Sequence, residues 1–145
     1  MGANFDRPGL HRPIAAYHVP VHPLFAKICA AAGWKQVAAA VDLDLDGERS
    51  QRVMHEMYDD GDERLLRVYS VVGPASVLDE RRIRAALGLN WRLKYGAIAI
   101  WENKLVVTRS FLERDVDEDE LRLAIEFIAR TADEYEKHIY RRDAN

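Results

Sequence analysis

Between residues 36 and 112, apolar side chains recur at every second position in five short runs, and most of these runs are joined by segments only long enough to reverse direction. A period of two presents one apolar and one wet face, which is the pattern of a half-buried strand and not of a helix. In the first run Val37, Ala39, Val41, Leu43 and Leu45 share a face opposite Gln36, Asp42 and Asp44. Asp46 and Gly47 then supply the aspartate-glycine pair favoured in tight hairpins. A second strand over about 49–58 alternates Val53, His55 and Met57 with Arg52, Met54, Glu56 and Tyr58. The polar turn Asp59 to Glu63 contains Gly61 and leads to a third strand, Leu65 to Val72, whose residues are nearly all apolar or aromatic, as in a central strand. Gly73 and Pro74 end it, because proline cannot continue a central ladder. The fourth and fifth strands, Ala97 to Trp101 and Leu105 to Leu112, flank a turn around Glu102 and Asn103.

Three segments follow helical spacing instead. Pro23 suits a first helical turn, Leu24, Phe25, Ile28, Cys29 and Ala32 follow at helical intervals, and Gly33 stops a helix over about 23–32. Ser76 with Asp79 has the spacing of a capping box, and Ile83, Ala86, Leu87 and Asn90 predict a second helix over about 77–91. Asp117 with Glu120 precedes an apolar stripe from Leu121 to Ile139, the longest helix. The order is α-β-β-β-α-β-β-α, and turns of hairpin length make neighbouring strands antiparallel. The fold class is therefore α+β, a five-stranded antiparallel sheet with three helices. In the third strand Leu65, Tyr69 and Val71 lie on one side and Leu66, Val68 and Val72 on the other. Both faces then want cover, and a homodimer would supply it.

At 145 residues the chain has the length of one domain, read here as a proline-rich N-terminal arm over 1–22 and a single α+β domain over 23–145. Four of the five prolines (Pro8, Pro13, Pro20, Pro23) fall in the first 23 residues and discourage regular structure there. A single cysteine, Cys29, excludes an internal disulfide, and no apolar stretch approaches the ~20 residues of a membrane span, so a cytoplasmic location without membrane contact is expected. The balance of 21 basic and 24 acidic residues, net charge −3, argues against a dedicated nucleic-acid binder.

No catalytic signature stands out. Asp42, Asp44, Asp46 and Gly47 imitate the opening of a calcium loop, but the position of the closing glutamate holds Val53, and a wet strand face explains the same aspartates. His11, His18 and His22 lie on the arm without a cysteine or a well-spaced carboxylate to complete a metal site. His55 shares the apolar side of its strand, which suits a hydrogen-bonded core or interface histidine. His138 near a helix C-terminus suits the dipole, and the acidic run Asp115 to Glu120 suits a helix N-terminus. Cys29, on an apolar stripe, reads as an inert core thiol. No serine elbow, phosphate-binding glycine loop or HExxH pair occurs. The chain is read as a non-enzyme with no catalytic, cofactor-binding or metal-ligating residues.

Arg81, Arg82, Arg84, Arg92 and Lys94 make the second helix and its exit basic, with Trp91 and Tyr95 among them, whereas residues 113–137 hold ten acidic and four basic residues. Charge beside aromatic area is the chemistry of interface anchors, so Arg81, Arg84, Trp91, Tyr95 and Trp101 are the candidate partner-binding residues.

Arg52 and Val53, "LLRVYSVVGPA" (65–75), "LNWRLKYGAIAI" (89–100), "LVVTRSFL" (105–112) and "VDEDELRLAIEFIARTADEYEK" (116–137) together resemble the YbjN-like family of bacterial sensory-transduction regulators. That family is similar in fold to the type III secretion chaperones, and the resemblance spans roughly residues 24–140. It implies a homodimeric, non-enzymatic protein that holds another polypeptide or modulates a regulatory pathway. The expected function is a chaperone-like or regulatory protein-binding module; a small-ligand sensor with a cavity between helices and sheet is the alternative.

Overall fold

Pro23 opens helix α1 (Pro23–Ala32), and Gly33, at φ 73°, closes it in the left-handed conformation that glycine adopts without strain. The N-cap is His22, whose imidazole Nδ1 accepts the Leu24 N–H. The computed structural model describes residues 19–140, so all but the last four residues of the expected arm, including His11 and His18, lie outside the described residues.

The first expected strand is two. Strands β1 (Lys35–Val37) and β2 (Ala40–Asp44) pair antiparallel around Ala38 and Ala39, with Val37 opposite Ala40. Ala38 takes φ 53° there, a conformation that disfavours a residue with a Cβ. The alternation of Val37, Ala39 and Val41 runs through this turn unbroken, so periodicity alone cannot reveal the reversal. Strands β3 (Ser50–Asp60) and β4 (Glu63–Pro74) are longer than their apolar cores, meeting at a two-residue turn, Gly61–Asp62. Strand β4 persists through Pro74, with a bulge between Val71 and Gly73. Strands β5 (Ala97–Trp101) and β6 (Lys104–Leu112) flank Glu102 and Asn103, both at positive φ. The sheet therefore has six strands and not five, in the order β1-β2-β3-β4-β6-β5, with every neighbouring pair antiparallel.

Helix α2 is shorter than expected, Glu80–Gly88, with 3₁₀ turns at Ala75–Val77 and Leu89–Trp91 on either side. Its N-cap is Asp79, which accepts the Arg82 N–H at 2.9 Å, so the capping role falls three residues after Ser76. Helix α3 (Glu118–Tyr140) begins as expected: Asp117 accepts the Glu120 N–H at 2.7 Å.

All three helices gather on one face of the sheet. Phe25 and Ile28 of α1, Ala86 of α2, and Leu121, Ile125 and Ile128 of α3 form one buried cluster with Val41, Val53, Leu66, Val68, Leu105 and Val107. Strand β4 shows the division: Leu66, Val68, Ser70 and Val72 are buried, while Leu65, Arg67, Tyr69 and Val71 on the other face stay half-buried.

Candidate functional site

Strand β5 sits at one edge of the sheet, and an edge offers unpaired N–H and C=O groups. The 3₁₀ turn after α2 brings Asn90 to this edge, where its side-chain amide accepts from the Ile98 N–H and donates to the Ile98 C=O at 3.2 Å. One side chain thus stands in for a neighbouring strand at Ile98. Alternation along an antiparallel strand turns the N–H and C=O of Ile100 outward as well, and among the described residues no second asparagine reaches them. Ile100 is also one of the exposed large hydrophobic residues.

On the helix-free face beside this edge, Trp101 and Ala99 of β5, Val106 and Thr108 of β6, Tyr69 and Arg67 of β4 and Glu56 of β3 line a shallow, mainly apolar hollow of about 190 Å³. The hollow is small beside the ~300–1,000 Å³ of ordinary small-molecule pockets. Across the sheet the same face becomes polar. Arg67 donates to Glu56 at 2.6 Å and lies 4.3 Å from the centre of the Tyr58 ring, and Arg52 forms a bidentate pair with Asp42 at 2.8 and 3.0 Å. That arginine holds the Asp42 carboxyl below the usual carboxylate range, and its fork occupies the first aspartate of the imitated calcium loop.

The five sequence-predicted residues divide about β5. Arg81 and Arg84 stand exposed on the outer side of α2, with Arg84 on Glu80 one turn before it at 3.1 Å. Trp91 is 93% exposed. Tyr95 meets the Phe127 ring edge-on at 5.6 Å between centroids and lies 5.8 Å from the Arg109 guanidinium. Trp101 alone opens onto the helix-free face. Sequence reasoning missed Glu56, Arg67, Tyr69 and Thr108 as wall residues, although Arg67, a charge in the middle of an apolar run, was a visible signal of an uncovered face.

Three further chemistry-bearing residues are structurally committed. His55 is buried, stacked on Phe25 at 3.8 Å, and burial pushes its pKa below the ordinary value. Burial pushes the Cys29 thiol up to about 11, away from the reactive thiolate. Asp133 of α3 is buried and held by Arg49 at 3.1 Å and Lys137 at 3.6 Å. Among the described residues no three histidine, cysteine or acidic side chains gather as metal ligands, and no helix is long and apolar enough to cross a membrane.

No established family profile matches the sequence, and no curated protein matches it either. Solved structures do. A chain of the ExsC–ExsE complex superposes with a TM-score of 0.57 at 14% identity, over 80% of this chain and 90% of that one. A chain of the HopA1–SchA chaperone–effector complex superposes at 0.50 with 8% identity, over 79% and 91%. Looser likenesses are to the heterodimeric ExoU–SpcU complex from the type III secretion system of Pseudomonas aeruginosa (0.49, 16%, 79% and 96%) and to YbjN from E. coli (0.39, 17%, 82% and 88%). The secretion-chaperone-like α+β fold expected from the sequence is thus shared with the first two of these structures.

Proposed function

We propose that this chain is a non-enzymatic, chaperone-like or regulatory module that acts in the cytoplasm as a homodimer and captures a partner polypeptide around β5. The observation that carries this reading is the pairing of an open peptide edge at Ile100 with an apolar hollow beside it at Trp101, Tyr69 and Val106. An extended segment added at such an edge gains main-chain hydrogen bonds, and alternate side chains enter the hollow for selectivity. The chaperone–effector complex among the solved neighbours supports the same reading, since a chain of this fold is found there with a protein partner. The hollow itself is better sized for one side chain than for a metabolite.

Affinity capture from the native cell tests the reading with the tagged full chain and its Ile100→Pro variant. Proline removes the outward N–H of Ile100 while the ladder to β6, carried by Ala97, Ala99 and Trp101, is kept. The expected result is a polypeptide recovered by the original chain and lost by the variant, with sedimentation giving a dimer. Recovery of the same polypeptides by both forms, or of none by either, would sink the proposal.

A further inference from the structure

Helix α2 and the turn after it present a surface that the fold leaves unexplained. Only Ala86 of the helix is buried; Leu87, on the flank beside Ile83, is 45% exposed, and Trp91 and Val77 in the turns on either side are 93% and 62% exposed. Exposed aliphatic and aromatic side chains cost solubility, and a tryptophan almost wholly in water has no role in packing. The polar residues around it are of one sign. Between 79 and 95 there are five basic residues and two acidic ones, in a chain whose net charge is −3. Of the two acids, Asp79 is committed to capping the helix, and Glu80 meets Arg84 in a pair so exposed that a competing carboxylate displaces it at little cost.

Extending the polypeptide-capture reading, on which this inference rests, we propose that the outer surface of α2 and its following turn docks an acidic amphipathic segment of the partner. The segment's apolar stripe would cover Val77, Leu87 and Trp91, and its carboxylates would meet Arg81, Arg84, Arg92 and Lys94. Charge complementarity carries the assignment: tryptophan and arginine are the residue types that anchor interfaces, and guanidinium groups pair with carboxylates in two-pronged geometry. A nucleic-acid strand fits less well, because Val77 and Leu87 offer no flat surface for base stacking.

The test uses the full chain and synthetic amphipathic helices of about five turns. One has a leucine stripe flanked by glutamates, a second has lysines in place of the glutamates, a third keeps the glutamates but has serines in the stripe, and a single-stranded oligothymidine is the fourth probe. Binding is followed by tryptophan emission, with Trp91→Phe separating Trp91 from Trp34 and Trp101. The acidic amphipathic helix should bind saturably, blue-shift Trp91 and weaken with salt. Arg81→Glu with Arg84→Glu should weaken it at least ~10-fold and transfer binding to the lysine helix. Both positions are exposed, so the variants should unfold like the original chain. Equal binding of the lysine or serine-striped helix, or tighter binding of the oligothymidine, overturns the inference. Failure of all four probes, while capture still depends on Ile100, overturns this inference and leaves the capture reading standing; loss of the Ile100-dependent capture removes both.

Discussion

The backbone N–H of His22, at the entrance to α1, donates to Nε2 of His55 at 2.9 Å, and Nδ1–H of the same buried ring donates to the Ala39 carbonyl at 2.8 Å. A carbonyl only accepts and an amide N–H only donates, so both ring nitrogens are assigned and the imidazole is neutral. Protonation at Nε2 would set two N–H groups against each other. Glu113 lies beside this contact, its carboxylate 3.8 Å from Nε2 of the His22 side chain.

A pH dependence with a definite sign follows. Burial lowers the folded pKa of His55 below the ordinary ~6.5 of the unfolded chain, so the unfolded state binds the extra proton first. The stability contributed by His55 is therefore complete above about pH 6.5 and is lost as pH falls from there towards the folded value. Urea unfolding between about pH 5 and 7, above most carboxylate titrations, should show stability declining with acidity. A His55→Gln variant should flatten that decline; an unchanged slope would refute the assignment.

Asn90 guards the edge strand through both of its hydrogen bonds to Ile98. Asn90→Ala should speed amide exchange at Ile98, lower stability by about 1 kcal/mol and raise self-association, because it lengthens the open edge. Asn90→Asp keeps the acceptor for the Ile98 N–H and should retain most of the exchange protection. Light scattering and hydrogen exchange read the two effects separately.

Gly73 lies under the end of α3. A Cβ there would fall 2.5 Å from the Tyr140 ring, whose hydroxyl donates to the Pro74 carbonyl at 2.8 Å. The contact is with the far end of a side chain, so Gly73→Ala should displace the ring and not the strand, at about 1 kcal/mol for the lost bond. Once Tyr140→Ala has removed the ring, the Gly73→Ala change should be nearly silent, and a double-mutant cycle by chemical denaturation checks this.

Asp133 depends chiefly on Arg49. Arg49→Ala leaves a buried carboxylate with only the longer contact to Lys137, and a loss of roughly 1–3 kcal/mol is expected after allowance for the partial exposure of the arginine. Lys137→Ala should cost less than about 1 kcal/mol, because the pair is longer and the lysine half-exposed. Denaturation midpoints rank the two; the reverse order would contradict the geometry.

Helix ends and hairpins were legible wherever a residue carries its own conformational bias. Pro23 and Gly33 bracket α1, Asp117 caps α3, and Gly61 supplies a turn, because each acts through local backbone geometry. The reversal at Ala38 was not legible, since alanine has no preference for φ 53° and the surrounding structure imposes it. The cap at Asp79 was displaced from Ser76 for a related reason: residues 75–77 turn as a 3₁₀ segment before the helix can begin. Trp91, Tyr95 and Trp101 were singled out by residue type alone. That Trp101 faces away from the other two depends on strand parity at the sheet edge.

Alternation and helical spacing were sufficient for the α+β class and the order of most elements, because burial of one face is a property of each segment separately. Which face of the sheet receives the helices, and therefore which side chains surround β5, was signalled in the sequence by Arg67 alone and was settled by packing. Leu65, Tyr69 and Val71 are as apolar as Leu66, Val68 and Val72, but three helices fill a single layer, and the far face stays open where Trp101 and Tyr69 line their hollow.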